Sequence, residues 1–278
     1  MADLLDDEAR VRAALTRCSD AAAGATDVGR VRRRNEDAYW VDRRERFALV
    51  ADGLGGLPDG HIASRVAVVA AAQLLESRFD ARSSAPAVPS RPQTVARQLG
   101  TDLGDAFAAA QERVLAQPRP AAAELTMATT LIGAAIQDHV AVIAHVGDVR
   151  GYVWRQGRAA FVTVDHSRLG TLVREGVLTR EAVRHRPDRN IVTEVLGIPE
   201  GYNVDVDTVG LEDGDVVVLC SDGLWEAVDE EGMARLLAHA GSAAEAATWL
   251  IHAANSAGGR DNITVVVMRH AGNGSAAA

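Results

Sequence analysis

Acidic side chains stand at the ends of four apolar runs in this chain, each beside a glycine or an amide. The pairs are Asp52-Gly53, Gly147-Asp148 and Asp222-Gly223, which close their runs, and Asp261-Asn262, which opens one. Short apolar runs bounded by turn residues are typical of buried β-strands. Carboxylates that such strands bring together repel one another unless cations lie between them. The pattern therefore predicts an acidic, cation-binding cluster on a β scaffold.

The candidate ligands all offer oxygen atoms. They are Glu36, Asp37, Asp52, Asp148, Asp222, Asp261 and Asn262. Because no cysteine is among them and no histidine pair has metal-ligand spacing, the set favours Mg²⁺ or Mn²⁺ over Zn²⁺ or Cu²⁺. Several carboxylates indicate two or more ions, and two ions that share a water lower its pKa for in-line attack on a phosphate ester. Gly53 has no side chain, so its backbone carbonyl can approach an ion closely.

A basic turn precedes the first acidic pair. Arg32, Arg33 and Arg34 stand just before Glu36-Asp37, and one guanidinium can hold two phosphate oxygens. Three consecutive arginines are also typical of a solvated loop, and an Asp-Gly pair at a strand end is often a simple turn. Each motif alone therefore leaves a structural and a functional interpretation open, and only their joint order favours the second.

Other conspicuous residues favour structural roles. The glycine-rich loop 53–60 lacks the Lys-Ser/Thr ending of a phosphate-binding P-loop, so its glycines are interpreted as conformational. Cys220 and His145 lie inside apolar runs and are expected in the core rather than on a metal.

Composition excludes several classes of protein. The chain has 278 residues, 47% of them hydrophobic, and a net charge of −9, which argues against a nucleic-acid or anionic-membrane surface as partner. Its two cysteines, Cys18 and Cys220, exclude a disulfide framework and fit a reducing compartment. The acidic N-terminus has no signal-peptide core, and no apolar run reaches the length of a membrane span. We therefore expect a soluble, cytoplasmic protein.

The periodicity predicts strands at both ends of the domain and paired helices between them. A short strand is expected from Gly24, a second over 38–41, and a third that ends at Asp52. Further strands are expected over 128–136, 140–146, 150–155, 159–164, 203–209, 215–220 and 262–269. Helices are expected over 61–78, 94–116, 229–239 and 242–256, the last begun by the capping box Ser242-x-x-Glu245. Residues 80–93 are expected to form a surface loop, and 166–200 an excursion with short helical pieces near 167–175 and 179–185. This order favours an α+β sandwich over βαβ winding.

Taken together, the motifs resemble the metal-dependent protein phosphatases of the protein phosphatase 2C type, in their compact bacterial form. The resemblance covers about residues 24–270. The matching segments are Thr26-Asp27-Val28-Gly29, Arg32, Asn35-Glu36-Asp37-Ala38, Val50-Ala51-Asp52-Gly53-Leu54-Gly55-Gly56, Gly60, Ala63-Ser64, Met127-Ala128-Thr129-Thr130-Leu131, Val146-Gly147-Asp148-Val149-Arg150, Val164-Asp165-His166-Ser167, Leu219-Cys220-Ser221-Asp222-Gly223-Leu224-Trp225 and Gly259-Arg260-Asp261-Asn262-Ile263-Thr264.

The resemblance implies a four-layer αββα sandwich, with two central antiparallel sheets flanked by helix pairs and metals at one end. It divides the chain into an N-terminal extension (1–20), a catalytic domain (21–270) with a flap at about 166–200, and a disordered tail (271–278). The resemblance implies a paired-metal site whose ligands are Asp37, Asp52, the Gly53 carbonyl, Asp222 and Asp261, with Asp52 bridging the two ions. It implies a third, weaker metal site at Asp148 and phosphate binding by Arg32. Glu36 and Asn262 would orient waters.

Several positions depart from the family pattern. Ala128 and Val149 replace a usual glycine and serine, and little effect is expected. Glu194 replaces a usual arginine, which predicts a changed charge at the flap edge and a changed choice of phosphopeptide. Leu54 stands where animal-type members have a histidine as proposed general acid, so leaving-group protonation would fall to a metal-bound water or another group. His61 lies nearby and is expected at the surface or in a helix cap.

The resulting hypothesis is hydrolysis of phosphoserine and phosphothreonine in proteins by a metal-bridging hydroxide, with two Mn²⁺ or Mg²⁺ ions and a possible third. A serine/threonine kinase is expected to supply the substrates, and a monomer is expected. Two alternatives stay open at this point. One is a non-catalytic regulator of the same fold that binds phosphoproteins or a small ligand. The other keeps the chemistry but acts on a small phosphoester or a phosphorylated anti-sigma-factor antagonist.

Overall fold

The fold is described from a computed structural model. It describes residues 19–84, 90–118, 127–184, 186, 188, 191–199 and 201–271. The expected extension over 1–20 and the expected tail over 271–278 therefore fall almost wholly outside the described residues.

Within the described residues, ten strands form two antiparallel sheets of five strands each. The strands are β1 Ala22–Asp27, β2 Asp37–Val41, β3 Phe47–Asp52, β4 Leu131–Gln137, β5 Val140–Val146, β6 Arg150–Arg155, β7 Arg158–Val162, β8 Asp205–Gly210, β9 Val216–Cys220 and β10 Ile263–Arg269. One sheet has the order β1-β10-β9-β6-β7 and the other β2-β3-β4-β5-β8. All recorded pairings between the strands are antiparallel.

Helices cover the outer face of each sheet. The helices are α1 Gly60–Ser83, α2 Pro92–Leu115, α3 Arg168–Arg174, α4 Arg180–Arg184, α5 Asp222–Trp225, α6 Glu230–His239 and α7 Ala243–Ser256. Helices α1 and α2 pack on the second sheet, and α6 and α7 pack on the first. Among these helices, none combines the length and apolar composition that a membrane span requires.

Strand β3 shows why four layers form. Phe47, Leu49 and Ala51 point toward α1 and α2 and belong to one hydrophobic cluster. Ala48 and Val50 alternate with them and point toward the other sheet, in a second cluster. Because both faces of the strand are buried, helices cover one side and a sheet covers the other. A third cluster lies under α6 and α7, so the predicted αββα sandwich is confirmed.

The predicted surface loop over 80–93 is wrong at both ends. Helix α1 continues to Ser83 and α2 already begins at Pro92. The extra turn of α1 is held by tertiary contacts, since the Phe79 ring stacks on Phe47 with centroids 5.7 Å apart. Arg82 lies over the Phe79 ring and forms an ion pair with buried Asp102 of α2. These contacts outweigh the weak helix signal of the local sequence.

Other boundaries differ by a few residues. Strand β4 begins at Leu131 rather than 128, and the short helix α5, directly after β9, was missed by periodicity because it is a single turn. In the capping box, Ser242 Oγ accepts a hydrogen bond from Glu245 N at 3.1 Å as predicted. The Glu245 carboxylate accepts from Gly241 N rather than from Ser242 N.

Candidate metal centre

A cavity of about 410 Å³ opens at one end of the sandwich, where the predicted acidic residues meet. Its lining residues are Arg32, Glu36, Asp52, Gly53, Leu54, Gly55, Thr130, Asp148, Ile191, Val192, Asp222, Asp261 and Asn262. Asp37 is buried beside this cavity as the register partner of Asp52. The structure thus brings together all the candidate metal ligands and, of the basic turn, Arg32.

Asp37 and Asp52 face each other across neighbouring strands. They are paired in the register of β2 and β3, which places the side chains on the same face of the sheet. Ser221 Oγ donates to Asp37 Oδ2 at 2.7 Å. Asp52 is fixed through its backbone, because its N–H donates to Thr130 Oγ1 at 3.1 Å and its carbonyl accepts from Thr129 Oγ1 at 2.8 Å.

Asp222 reaches the cavity from the other sheet, and Asp148 reaches it from the connection between the two sheets. Asp222 is the first residue of α5 after β9, and Asp148 lies in the short connection between β5 and β6. Trp225 of α5 donates from Nε1 to the Asp148 carbonyl at 3.0 Å. This bond ties α5 to the Asp148 turn, so the two carboxylates keep a fixed relation.

Burial raises the pKa values of the carboxyl groups in the cluster. It raises the pKa of Asp37 to about 6 and that of Asp148 to about 7. Burial, together with the negative charge of the neighbouring carboxylates, raises the pKa of Asp52 and of Asp222 well above the usual range. Charged carboxylates this close in a low-dielectric site need a compensating cation.

The donor chemistry of the cluster fits hard divalent cations. Asp37 Oδ1 and Asp222 Oδ1 are buried, and no donor from the described residues reaches either atom. Buried carboxylate oxygens without a hydrogen-bond partner are unfavourable unless another positive group contacts them. At Gly53, a Cβ would lie 2.3 Å from the Gly60 carbonyl oxygen and 2.7 Å from the Glu36 carbonyl oxygen. Only glycine lets the backbone at this position pass so close to these two carbonyls.

Arg32 and Asp261 form an ion pair at the cavity mouth. Arg32 Nη2 donates to Asp261 Oδ2 at 2.6 Å, and both side chains are partly exposed. Asp261 Oδ1 also accepts from Asn262 N at 2.8 Å. The guanidinium lies against Gly55, where an added Cβ would be 3.1 Å from Nη1. Arg32 is therefore held over the cavity while further N–H groups remain for an anion.

Asn262 organises the loop that carries Arg32 and Glu36. Its Oδ1 accepts from the backbone N–H of Glu36 at 2.8 Å. Its Nδ2 donates to the carbonyls of Val28 and Arg34, at 3.0 and 2.9 Å. One buried side chain thus satisfies three backbone groups of the basic turn, which is a larger structural contribution than the predicted orientation of waters.

A model of the protein phosphatase 2C family matches residues 30–254. This chain belongs to the protein phosphatase 2C family. The serine/threonine phosphatase Stp of Listeria innocua is 33% identical over 246 residues, which cover 87% of this chain and 93% of the relative.

Solved structures of the protein phosphatase 2C type agree with the fold. The Mycobacterium tuberculosis serine/threonine phosphatase PstP/Ppp superposes with a TM-score of 0.74 at 31% identity, covering 90% of this chain and 98% of that one. The catalytic domain of PstP in complex with two manganese ions superposes with a TM-score of 0.69 at 30% identity, covering 88% and 96%. A solved relative of this fold is therefore a manganese-binding catalytic domain.

The flap of this phosphatase contributes one wall of the cavity. Ile191 and Val192 line it, and Ile191 is one of the few large apolar side chains exposed on the described surface. The flap base is tied to the edge strand β8, because His166 Nε2 and Arg174 Nη2 both contact Asp205 Oδ2, at 3.1 and 2.5 Å.

Two residues singled out in the sequence have specific contacts in the phosphatase fold. The carboxylate of Glu194 accepts hydrogen bonds from the backbone N–H and Nδ2 of Asn203, each at 3.0 Å. Asn203 therefore orients the carboxylate, and the predicted change of charge at the flap edge stays a prediction. His61 lies in the first turn of α1, where Arg34 Nη1 contacts its Nδ1 at 3.1 Å, and the N-cap residue is Asp59.

Sequence reasoning missed the residues that hold the acidic side chains in place. Ser221 connects Asp37 to β10, because it also accepts from Thr264 N at 2.9 Å. Asn35 donates to Thr26 Oγ1 and accepts from Asp37 N. Their position directly beside Asp222 and Glu36-Asp37 was the available signal. His145 and Cys220 are fully buried, as predicted.

Proposed function

We propose that this chain hydrolyses phosphoserine and phosphothreonine in phosphoproteins, with Mn²⁺ or Mg²⁺ as cofactor. The observation that carries the proposal is the convergence of Asp37, Asp52, Asp148 and Asp222, from both sheets, on one cavity with Arg32 at its mouth. A wholly structural set of turns would not bury so many uncompensated carboxylates. Family membership and the PstP complex with two manganese ions support the same assignment.

The oxygen atoms available for cations come from both sheets. Asp37, Asp52 and the Gly53 carbonyl would hold one ion, while Asp52, Asp222 and Asp261 would hold the other. Asp148 would serve a third, weaker site. Bound there, divalent cations supply Lewis-acid stabilisation of the phosphoryl oxygens and lower the pKa of the attacking water.

The chain itself binds and orients the substrate. Arg32 offers guanidinium N–H groups to the phosphoryl oxygens, and its contact with Asp261 fixes the direction in which they point. Asn262 keeps the turn of Arg32 in register with the acidic cluster. Glu36 lines the cavity and orients water there. Ile191 and Val192 of the flap provide an apolar surface for residues beside the phosphorylated side chain.

The wider assignments follow from the same proposal. The catalytic domain spans 21–270 with its flap at 166–200, and the substrates are products of a serine/threonine kinase. A monomer in the cytoplasm is proposed, supported by the buried free thiol of Cys220. The non-catalytic alternative is disfavoured, because every carboxylate expected of an active member is present and curated relatives are named as phosphatases.

Replacing Asp52 with Asn tests the proposal. The variant removes one negative charge from the centre of the cluster without changing side-chain size. We expect turnover of a phosphothreonine peptide with Mn²⁺ to fall by about 100-fold or more, as for loss of a central electrostatic group. The matched control is Asp138→Asn, at a surface turn with φ of 54°, a conformation that Asn tolerates.

The assay compares phosphothreonine and phosphotyrosine peptides, with Mn²⁺ and after EDTA. The proposal predicts phosphate release from the phosphothreonine peptide that EDTA abolishes. Wild-type turnover by Asp52→Asn, with circular dichroism unchanged, would show that the acidic cluster is not the reaction centre. Manganese binding without phosphate release from any peptide would favour the regulator instead.

A further inference from the structure

A second set of potential metal ligands lies at the surface, away from the acidic cavity. It consists of His139 in the turn between β4 and β5, Asp213 in the loop between β8 and β9, and His270 directly after β10. One ligand atom of each side chain lies within 4.8 Å of the others. His139 and Asp213 are exposed and His270 is partly exposed, so solvent ions can reach all three.

Backbone hydrogen bonds hold the three segments together. The His139 carbonyl accepts from Leu211 N at 2.8 Å, and the His270 carbonyl accepts from Gly214 N at 2.9 Å. His270 N in turn donates to the Asp215 carbonyl at 2.8 Å. The loop that carries Asp213 is therefore fixed to both histidine segments. A ligand set held this way loses little conformational entropy when it binds an ion.

The two imidazoles have the separation that a tetrahedral metal requires. His139 Nδ1 lies 3.2 Å from His270 Nε2, and the rings are nearly perpendicular at 82°. Two nitrogens at about 2.0–2.1 Å from a tetrahedral Zn²⁺ lie about 3.3 Å apart. Asp213 adds the negative charge and the third ligand atom. Burial and the neighbouring His139 lower the pKa of His270, which favours the neutral imidazole that binds metals.

We propose that His139, Asp213 and His270 bind one Zn²⁺ ion, with water as a fourth ligand. Two imidazole nitrogens and one carboxylate oxygen suit Zn²⁺ rather than the Mg²⁺ or Mn²⁺ favoured by an all-oxygen set. The site is separate from the acidic cavity. Strands β5, β9 and β10 each have one end at the acidic cavity and the other end at the histidine site. A strand of seven residues such as β10 spans about 20 Å, which is the approximate distance between the two sites.

Such an ion would cross-link the two sheets. His139 belongs to the sheet of β4 and β5, whereas His270 follows a strand of the other sheet, and Asp213 lies in the connection between the sheets. Zinc binding is therefore expected to raise the melting temperature without taking part in hydrolysis.

A second group of two histidines and one aspartate lies in the protein interior, and its geometry is less suited to a metal ion. His145, His166 and Asp205 also bring ligand atoms within 4.8 Å. The two rings lie side by side, 4.5 Å apart and inclined by 35°, so their lone pairs do not converge. His145 Nε2 contacts the Val164 carbonyl, and Arg174 already places a positive charge on Asp205.

The test measures Zn²⁺ binding by titration calorimetry on the full chain, in excess Mg²⁺ so that the acidic cluster is occupied by a hard cation. We expect His139→Gln and His270→Gln each to lose one equivalent of bound Zn²⁺ and the Zn²⁺-dependent rise in melting temperature. His252→Gln, at an exposed position of α7, is the control and should behave as wild type. Asp213→Asn, in an exposed loop, provides a third variant independent of the histidines.

Co²⁺ gives a second readout. Wild type in excess Mg²⁺ should show the visible absorption of a tetrahedral Co²⁺ site, and the His139 and His270 variants should not. Magnesium-dependent phosphatase activity should be the same in all variants, because the site lies at the opposite end of the strands. Equal Zn²⁺ stoichiometry and equal thermal shifts in wild type and both histidine variants would overturn the proposal.

Discussion

At the scale of single residues, the acidic cluster depends on neutral side chains that hold its loops and carboxylates in place. Asn262 satisfies three backbone groups of the turn before Glu36. Ser221 holds one oxygen of Asp37 and leaves the other without a donor among the described residues. The geometry of the ligands is therefore set by neutral polar residues, which can fix a carboxylate without adding charge to a crowded site.

We predict that Asn262→Ala impairs substrate binding more than metal binding. The variant frees the carbonyls of Val28 and Arg34 and the N–H of Glu36, so the turn carrying Arg32 loosens. Because a displacement of about 1 Å at a positioned group can reduce rate about 100-fold, kcat/KM for a phosphothreonine peptide should fall by about 10- to 100-fold. Manganese affinity, measured by calorimetry, should change less. Wild-type kcat/KM would contradict the positioning role.

At the scale of elements, one carboxylate on an edge strand contacts two basic side chains of the flap base. Asp205 of β8 receives His166 and Arg174 from the flap base and α3. Arg174 is 49% exposed and Asp205 32% exposed, so the contact is weak, at most about 1 kcal/mol. A weak contact of this kind can adjust to different peptides while the cluster behind it stays rigid.

We therefore predict that Asp205→Asn changes substrate selection without changing the chemistry. Losing the charge of Asp205 should lower kcat/KM for a phosphopeptide by up to about fivefold, the equivalent of about 1 kcal/mol. Hydrolysis of p-nitrophenyl phosphate, which lacks the residues that a peptide places beside the phosphorylated side chain, should be unaffected.

The control is Asp207→Asn, on the same strand and the same face. It should leave both substrates unchanged. An equal loss of activity toward both substrates in Asp205→Asn would instead place the effect in the cluster itself.

At the scale of the whole molecule, the acidic cluster couples folding to pH and to metal. The pKa of Asp37 is raised to about 6 and that of Asp148 to about 7, whereas both are about 4 in an unfolded chain. The folded state therefore binds more protons than the unfolded state between about pH 4 and 7. Over that window these two groups lower the free energy of unfolding as the pH rises.

We predict that in EDTA the titration of Asp37 and Asp148 makes the melting temperature fall between pH 4 and 7. Above pH 7 these two groups cause no further change. Each kcal/mol corresponds to about 2–4 °C for a chain of this size. Added Mn²⁺ should raise the melting temperature most near pH 7, because it neutralises carboxylates that are charged at that pH.

The test is a thermal-unfolding series with and without Mn²⁺. Asp37→Asn should flatten the EDTA profile, since it removes one of the titrating groups. A melting temperature that rises across this window in EDTA, or a Mn²⁺ effect that is equal at all pH values, would contradict the linkage.

Local patterns predicted most elements of the two sheets, since β-strands buried on both faces read as continuous apolar runs such as 47–51 and 216–220. They failed at residues 80–83, where α1 continues because Phe79 and Arg82 find partners on β3 and α2. They also did not indicate that the Glu194 carboxylate accepts hydrogen bonds from Asn203. These outcomes depend on contacts between distant segments, which local propensity does not contain.

By itself, the sequence determined the chemistry of the ligands, because residue type alone makes Asp37, Asp52, Asp222 and Asp261 oxygen donors for hard cations. Only the tertiary structure decided how they are used. Strand register set Asp37 opposite Asp52, and the fold paired Arg32 with Asp261 and His139 with His270 across more than a hundred residues. Distances between side chains far apart in the chain follow from packing, and packing is a property of the whole molecule.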